Sequence, residues 1–171
     1  GGTITNSGTA SGLGGGKVLQ VVTTHKTDTF SSTAPDTFTD ITGFGRTITP
    51  SATTSNVLIF VTVTYKGSDN NDVFFRLVRD STAIAIGDTD GSKSRVWFEL
   101  ERYSSVYTMS GVATLVHYDE LISTTSEVDY KLQIGGTTDS AQMYINRGSG
   151  GSDNSSTGRG YSSITCMEIG A

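Results

Sequence analysis

The sequence has one cysteine, two prolines and two histidines in 171 residues. The single thiol, Cys166, excludes an intrachain disulfide. It stands in an apolar segment beside Ile164 and Met167, where a small buried side chain is the expectation. His25 and His117 lie far apart in the chain. No Gly-x-Ser-x-Gly elbow, phosphate-binding loop or metalloprotease motif accompanies them. Charged residues are also scarce, at 17%. The net charge is -5 with both signs interspersed and no basic run, which leaves no footprint for nucleic acid. No apolar stretch is long enough to span a bilayer, so membrane insertion is not expected. Hydrophobic residues make up 35% of the chain, below the usual globular share.

What remains is rich in Gly, Ser and Thr. The length suits one domain with a core and is short for two. Residues 1–16, "GGTITNSGTASGLGGG", carry no core pattern and read as a linker or the end of a stalk. A start without Met or a signal-peptide pattern is expected of a piece cut from a longer polypeptide, or of a tag remnant. Residues 17–171 form the domain. Helical spacing of apolar residues is almost absent there. Short runs of Val, Ile, Thr, Phe and Tyr recur instead, divided by Gly, Ser, Asp and Asn.

Val128, Tyr130, Leu132 and Ile134 alternate with Asp129, Lys131, Gln133 and Gly135, the pattern of a strand with one buried and one wet face. In "NVLIFVTVTYK", Val57, Ile59, Val61 and Val63 share one face, but Leu58 and Phe60 occupy the other. Phe74 and Phe75 give the same signal. A strand apolar on both faces needs cover on both, which in a sandwich can come from another subunit. Leu58, Phe60 and Phe74 are therefore candidate subunit contacts.

Ten strands are expected, near residues 17–25, 37–49 (broken at Gly43 and Gly45), 56–66, 72–80, 81–87, 94–101, 107–118, 127–135, 140–146 and 161–170. Their number and spacing predict an all-β antiparallel sandwich or barrel. If each strand crosses the sandwich and the next returns, an even count brings both termini to one end, the base. Connections near 50–55, 80–81, 102–106 and 136–139 then belong to the base. Those near 26–36, 67–71, 88–93, 119–126 and 146–160 belong to the opposite end, the tip.

Several residues could carry chemistry. Glu99 and Glu101 share a strand face and could serve as a glycosidase pair, whereas Asp119 and Glu120 would point apart. Solvated strand faces explain such acids more simply. Asp88 and Asp90 before Gly91 resemble the start of a Ca²⁺ loop, without the distal Glu that such a loop needs. Asp69, Asn70 and Asn71 add oxygens nearby. Turn formation is the commoner role for all of these, and no metal or other cofactor is expected. Arg76 and Arg79 flank a strand, and Arg147 and Arg159 bracket the long polar stretch "NRGSGGSDNSSTGRG". Ion pairing is the ordinary role; the alternative is bidentate recognition of acidic sugars or phosphate. Tyr65, Tyr103, Tyr107, Tyr118 and Tyr161 stand near strand ends, where a ring could cover a sugar face or simply pack.

"GKVLQVVTTHKTDTF", "FTDITGFGRTITPSATTSNVLIFVTV", "FRLVRDSTAIAIGDTDGSKSR" and "MYINRGSGGSDNSSTGRGYSSITCMEI" occur in this order over residues 17–171. The combination resembles the C-terminal domains of marine bacteriophage tail fibres, many of them from phages of cyanobacteria, and "TITNSGTASG" resembles the end of a fibre shaft. "KGSDNNDV", "ERYSSVYT" and the middle of residues 146–160 match no motif of that family. The resemblance implies a jelly roll like the heads of C1q and tumour necrosis factor, assembled as a homotrimer. It also implies a non-enzymatic virion protein that attaches to a glycan or outer-membrane component of the host. Candidate contacts on the tip loops are Asp69, Asn70, Asn71, Asp88, Asp90, Arg147, Asp153, Asn154, Arg159 and Tyr161. A trimer cap, or a capsid-decoration or head-fibre protein, without a receptor is the structural alternative. A small polysaccharide hydrolase is the enzymatic one.

Overall fold

The computed structural model describes residues 16–33, 37–67, 72–100, 110–120, 122–136, 142–148 and 158–170. Eleven strands run through them: β1 (Val18–Lys26), β2 (Phe30–Ser32), β3 (Thr39–Ile48), β4 (Asn56–Gly67), β5 (Val73–Arg79), β6 (Thr82–Ile84), β7 (Phe98–Leu100), β8 (Ser110–Asp119), β9 (Val128–Gly136), β10 (Met143–Ile145) and β11 (Ser162–Ile169). They form two antiparallel sheets packed as a β-sandwich. All ten expected strands are present. Short β2, which carries only one large apolar residue, is the addition.

In the first sheet β4 is central. It pairs with β8 along one side. Along the other it pairs first with β11, from Asn56 to Thr62, and then with β10, from Tyr65 to Gly67. β1 pairs with β11 and β2 with β10. So β10 and β11 are two halves of one traverse, and β1 and β2 are two halves of the next. The second sheet runs β3–β9–β5, with β6 and β7 both against β5. β6 and β7 likewise share one traverse, interrupted by residues 85–97.

The core follows from period-two alternation. Val57, Ile59, Val61, Val63 and Tyr65 of β4 are buried, as are Ile164 and Cys166 of β11. They face Phe75, Leu77, Tyr130, Leu132 and Ile134 from the second sheet. The outward residues Asp129, Lys131 and Gln133 of β9 are the polar ones expected from its sequence, while Gly135, expected on the same wet face, is buried against Phe38. The expected break in β3 is also present. The register with β9 shifts between Asp40 and Gly45, and Gly43 has φ 71°, a conformation that favours glycine.

Strand directions correct the expected map of the two ends. Val18 and Ile169 are paired, so both terminal strands do meet at the base. Gly67 and Val73 stand at the tip. However, Lys66 pairs with Ser110 and Val57 with Asp119, so β8 runs from tip to base. The residues flanking 102–106 (Leu100, Ser110) and those flanking 136–139 (Gly136, Met143) therefore lie at the tip. The residues flanking 119–126 (Asp119, Val128) lie at the base, and 88–93 leaves from mid-sheet. The expected count took β6 and β7 as two crossings, and β10 and β11 as two more. The first error inverted the map and the second restored it.

Buried polar groups fasten the layers. Asp119 of β8 accepts from Arg79 Nη1 at 2.7 and 2.9 Å and from the Tyr130 hydroxyl at 2.8 Å, across the sandwich. Lys26 donates to the Thr42 carbonyl at 2.7 Å and to Asp28 at 2.9 Å. Glu168 accepts from Ser51 N and Oγ at 2.6 Å, and from Ser55 Oγ and Gln20 Nε2 at 2.7 Å. Burial pushes the Glu168 carboxyl up. The hydrogen bonds from Ser51, Gln20 and Ser55 outweigh that effect and hold it at about 2.

Candidate functional site

The polar stretch 146–160 departs from within a strand rather than from its end. Its pivot is Asn146, fully buried with φ 59°. Asn tolerates this left-handed conformation better than other non-glycine residues. Asn146 N donates to the Thr64 carbonyl at 3.0 Å, and Gly160 N returns to the Asn146 carbonyl at 3.1 Å. The side-chain amide donates to the carbonyls of Lys26 at 2.8 Å and Asp28 at 3.1 Å. Its oxygen accepts from Ser162 Oγ at 2.7 Å. One residue thus ties off the breaks between β1 and β2 and between β10 and β11.

Beyond Asn146 the two flanks of the excursion face one another, and Arg147 and Arg159 form an antiparallel bridge. The neck lies over the outer side of β4. A Cβ at position 160 would stand 2.6 Å from Thr64 Cγ2, so only glycine fits. The Arg147 guanidinium stacks 4.8 Å from the centre of the Tyr144 ring. Arg147, Arg159, Lys66, Thr64, Ser110 and Val112 border a cleft of about 370 Å³. Tyr161 is exposed beside it, its hydroxyl on His25 Nδ1 and its carbonyl accepting from Thr64 Oγ1 at 2.9 Å.

The remaining sequence candidates separate. Asp88 and Asp90 line a second cleft with Asp72, Glu99, Lys93 and Arg95, and Asp90 pairs with Lys93 at 2.5 Å. No group of three metal-ligating side chains occurs among the described residues. Asp69, Asn70, Asn71, Asp153 and Asn154 lie outside the described residues, as do Glu101, Tyr103 and Tyr107. Arg76 and Arg79 are engaged within the chain. Arg76 Nε donates to Gln133 at 2.7 Å and its guanidinium lies 4.0 Å from the Phe38 ring centre, while Arg79 holds Asp119. Tyr65 packs inward against Phe75 and Phe98 rather than facing a ligand, and burial pushes its hydroxyl pKa up. Asp119 and Glu120 point apart as expected, Asp119 buried and Glu120 exposed.

Leu58 and Phe60 lie on the outer face of the first sheet. Phe60 is opposite Val116 and Leu58 opposite Tyr118 across β4 and β8. On the other side they meet Thr165 and Met167, and through β11 reach Val21. Val21, Phe60, Val116 and Tyr118 are exposed there, Val112 is exposed nearer the tip beside the neck cleft, and Val18 and Leu19 are exposed at the base end of β1. Phe74 does not join this face, because it is a buried residue of β5 in the second sheet.

No protein-family model matches the chain, and no curated protein is significantly similar to it. The site therefore rests on its own geometry. Sequence reading named Arg147, Arg159 and Tyr161 but missed Asn146 and Lys66. An Asn directly before the polar run, at the end of "MYI", was the available signal. Lys66 gave none, since its place beside the arginines depends on the pairing of β10 with β4.

Proposed function

We propose that this chain is the tip domain of a bacteriophage tail fibre, a homotrimer of jelly rolls on the virion that attaches the particle to a bacterial surface. Eight traverses in two four-stranded antiparallel layers, each sheet joining strands distant in sequence, support the jelly-roll reading. The observation that carries the assembly is the contrast between the two outer faces. The second sheet turns Arg76, Gln133, Asp40 and Lys131 outward, joined by hydrogen bonds and an ion pair of 2.9 Å between Lys131 and Asp40. The first turns out Val21, Leu58, Phe60, Val116 and Tyr118. Contiguous apolar surface of this kind marks an interaction site. In a closed three-fold arrangement the part of this face from Leu58 and Tyr118 to Phe60 and Val116 is the subunit contact, the cleft above it at Thr64 and Val112 stays open, and the tip loops surround the axis.

Attachment uses the polar groups beside the tip, and three copies per fibre raise avidity without any new contact. The surface component is a glycan or an outer-membrane protein. Two measurements test the reading. Light scattering of the purified chain should return three subunits. The domain should bind host cells and compete with phage adsorption. A trimer that binds no cells would favour a purely structural cap.

A further inference from the structure

We infer that Arg147 and Arg159 form a binding site for the oxyanion groups of an acidic polysaccharide, its carboxylates or sulfate esters. The choice of a polysaccharide over other anion carriers rests on the attachment role proposed above. The cationic cluster itself rests on geometry alone.

The protein is acidic overall, with a net charge of -5. Yet the described residues lining the neck cleft bring two arginines, Arg147 and Arg159, together. Arg147 and Arg159 are directly opposed in an antiparallel bridge. Opposed residues of a bridge hold their Cβ atoms about 4.5–5.5 Å apart, so two like-charged side chains start side by side, an unfavourable pairing. The backbone enforces the pairing, because the Asn146 and Gly160 hydrogen bonds close the neck. An oxyanion between the two guanidiniums relieves the repulsion and accepts from both planar forks. Stacking on Tyr144 restrains Arg147 before any ligand arrives, which reduces the ordering cost of binding.

The walls suit a sugar. Gly148, Gly158 and Gly160 add no side chains of their own to the lining, and among the described residues a Cβ at Gly158 would meet nothing within 4 Å. Val112, 62% exposed, offers an apolar surface for ring C–H groups, and Ser110 a hydroxyl. The cleft volume of about 370 Å³ accommodates one or two sugar units.

The test is titration of the full chain with dextran sulfate, unmodified dextran and inorganic sulfate, at two salt concentrations. Dextran sulfate should bind, more weakly at high salt, and dextran should not. Arg147→Ala with Arg159→Ala should weaken binding at least tenfold. Arg147→Lys with Arg159→Lys should lose part of the affinity, because an ammonium lacks the fork. Lys17→Ala with Lys93→Ala removes the same charge elsewhere and should leave binding unchanged. Equal losses in that control would overturn the site in favour of general electrostatics. So would an unaffected arginine pair, or a variant that falls into smaller assemblies and reveals a subunit clamp. Free sulfate binding as tightly per group as the polymer would overturn the polysaccharide assignment. Whole-cell binding separates the two readings. Cells bound equally by the arginine variants would leave the attachment role standing and sink this site. Dextran sulfate bound at the arginines by a domain that ignores cells would do the reverse.

Discussion

Ser162 Oγ donates to Asn146 Oδ1 at 2.7 Å, joining the end of one half-strand to the start of the next. Sixteen residues separate the pair in sequence, and both are buried. The strand thus continues past the excursion as if it had not been interrupted.

Asn146→Ala should therefore be among the most damaging single changes in the chain. It removes donors from the Lys26 and Asp28 carbonyls and puts Ala at positive φ. The two effects together should cost about 2–4 kcal/mol. Asn146→Gly relieves the backbone strain only, and should be milder. Chemical denaturation of the two variants checks the order.

Glu168 makes stability depend on acid. Its folded pKa, about 2, is below its unfolded value, so the unfolded state binds the proton more readily. Its contribution is complete above about pH 4.5 and is lost as pH falls toward 2. Glu168→Gln should flatten the acid limb of a plot of melting temperature against pH. A variant that keeps the full wild-type slope would remove Glu168 from that role.

Asp119→Ala should cost about 3–5 kcal/mol, since it leaves Arg79 and the Tyr130 hydroxyl without their shared acceptor. Tyr130→Phe, which removes one hydrogen bond, should cost about 1 kcal/mol. Thermal unfolding of both proteins measures the difference.

The exposed sheet face yields an assembly prediction. Phe60→Asp with Val116→Asp places two charges side by side on directly opposed residues. In an oligomer that buries this face, the mass by light scattering should drop to one subunit while the circular dichroism spectrum of the strands persists. An unchanged mass would move the interface elsewhere.

Cys166 should resist a thiol reagent until the protein unfolds. It is fully buried, and that burial pushes its pKa up to about 12. Rapid labelling under native conditions is the contrary result.

The sequence by itself determined the local pattern. Alternation in β4, β9 and β11, the break at Gly43, the burial of Cys166 and the second apolar face at Leu58 and Phe60 all follow from side-chain order at period two. That order is a property of neighbours along the chain. Tertiary structure alone decided which short strands are halves of one traverse, because continuity is set by the partner strand. Tyr65 and Thr64 of β4 hold Ile145 and Asn146, and nothing within "MYIN" specifies that pairing. The buried polar residues follow the same logic. Lys26, Asp119 and Glu168 look like surface charges in sequence, and they are inside because partners distant in the chain reach them, Thr42 for Lys26, Arg79 for Asp119 and Gln20 for Glu168. Burying a charge is unfavourable until such partners are in place, so only the assembled fold could place these three.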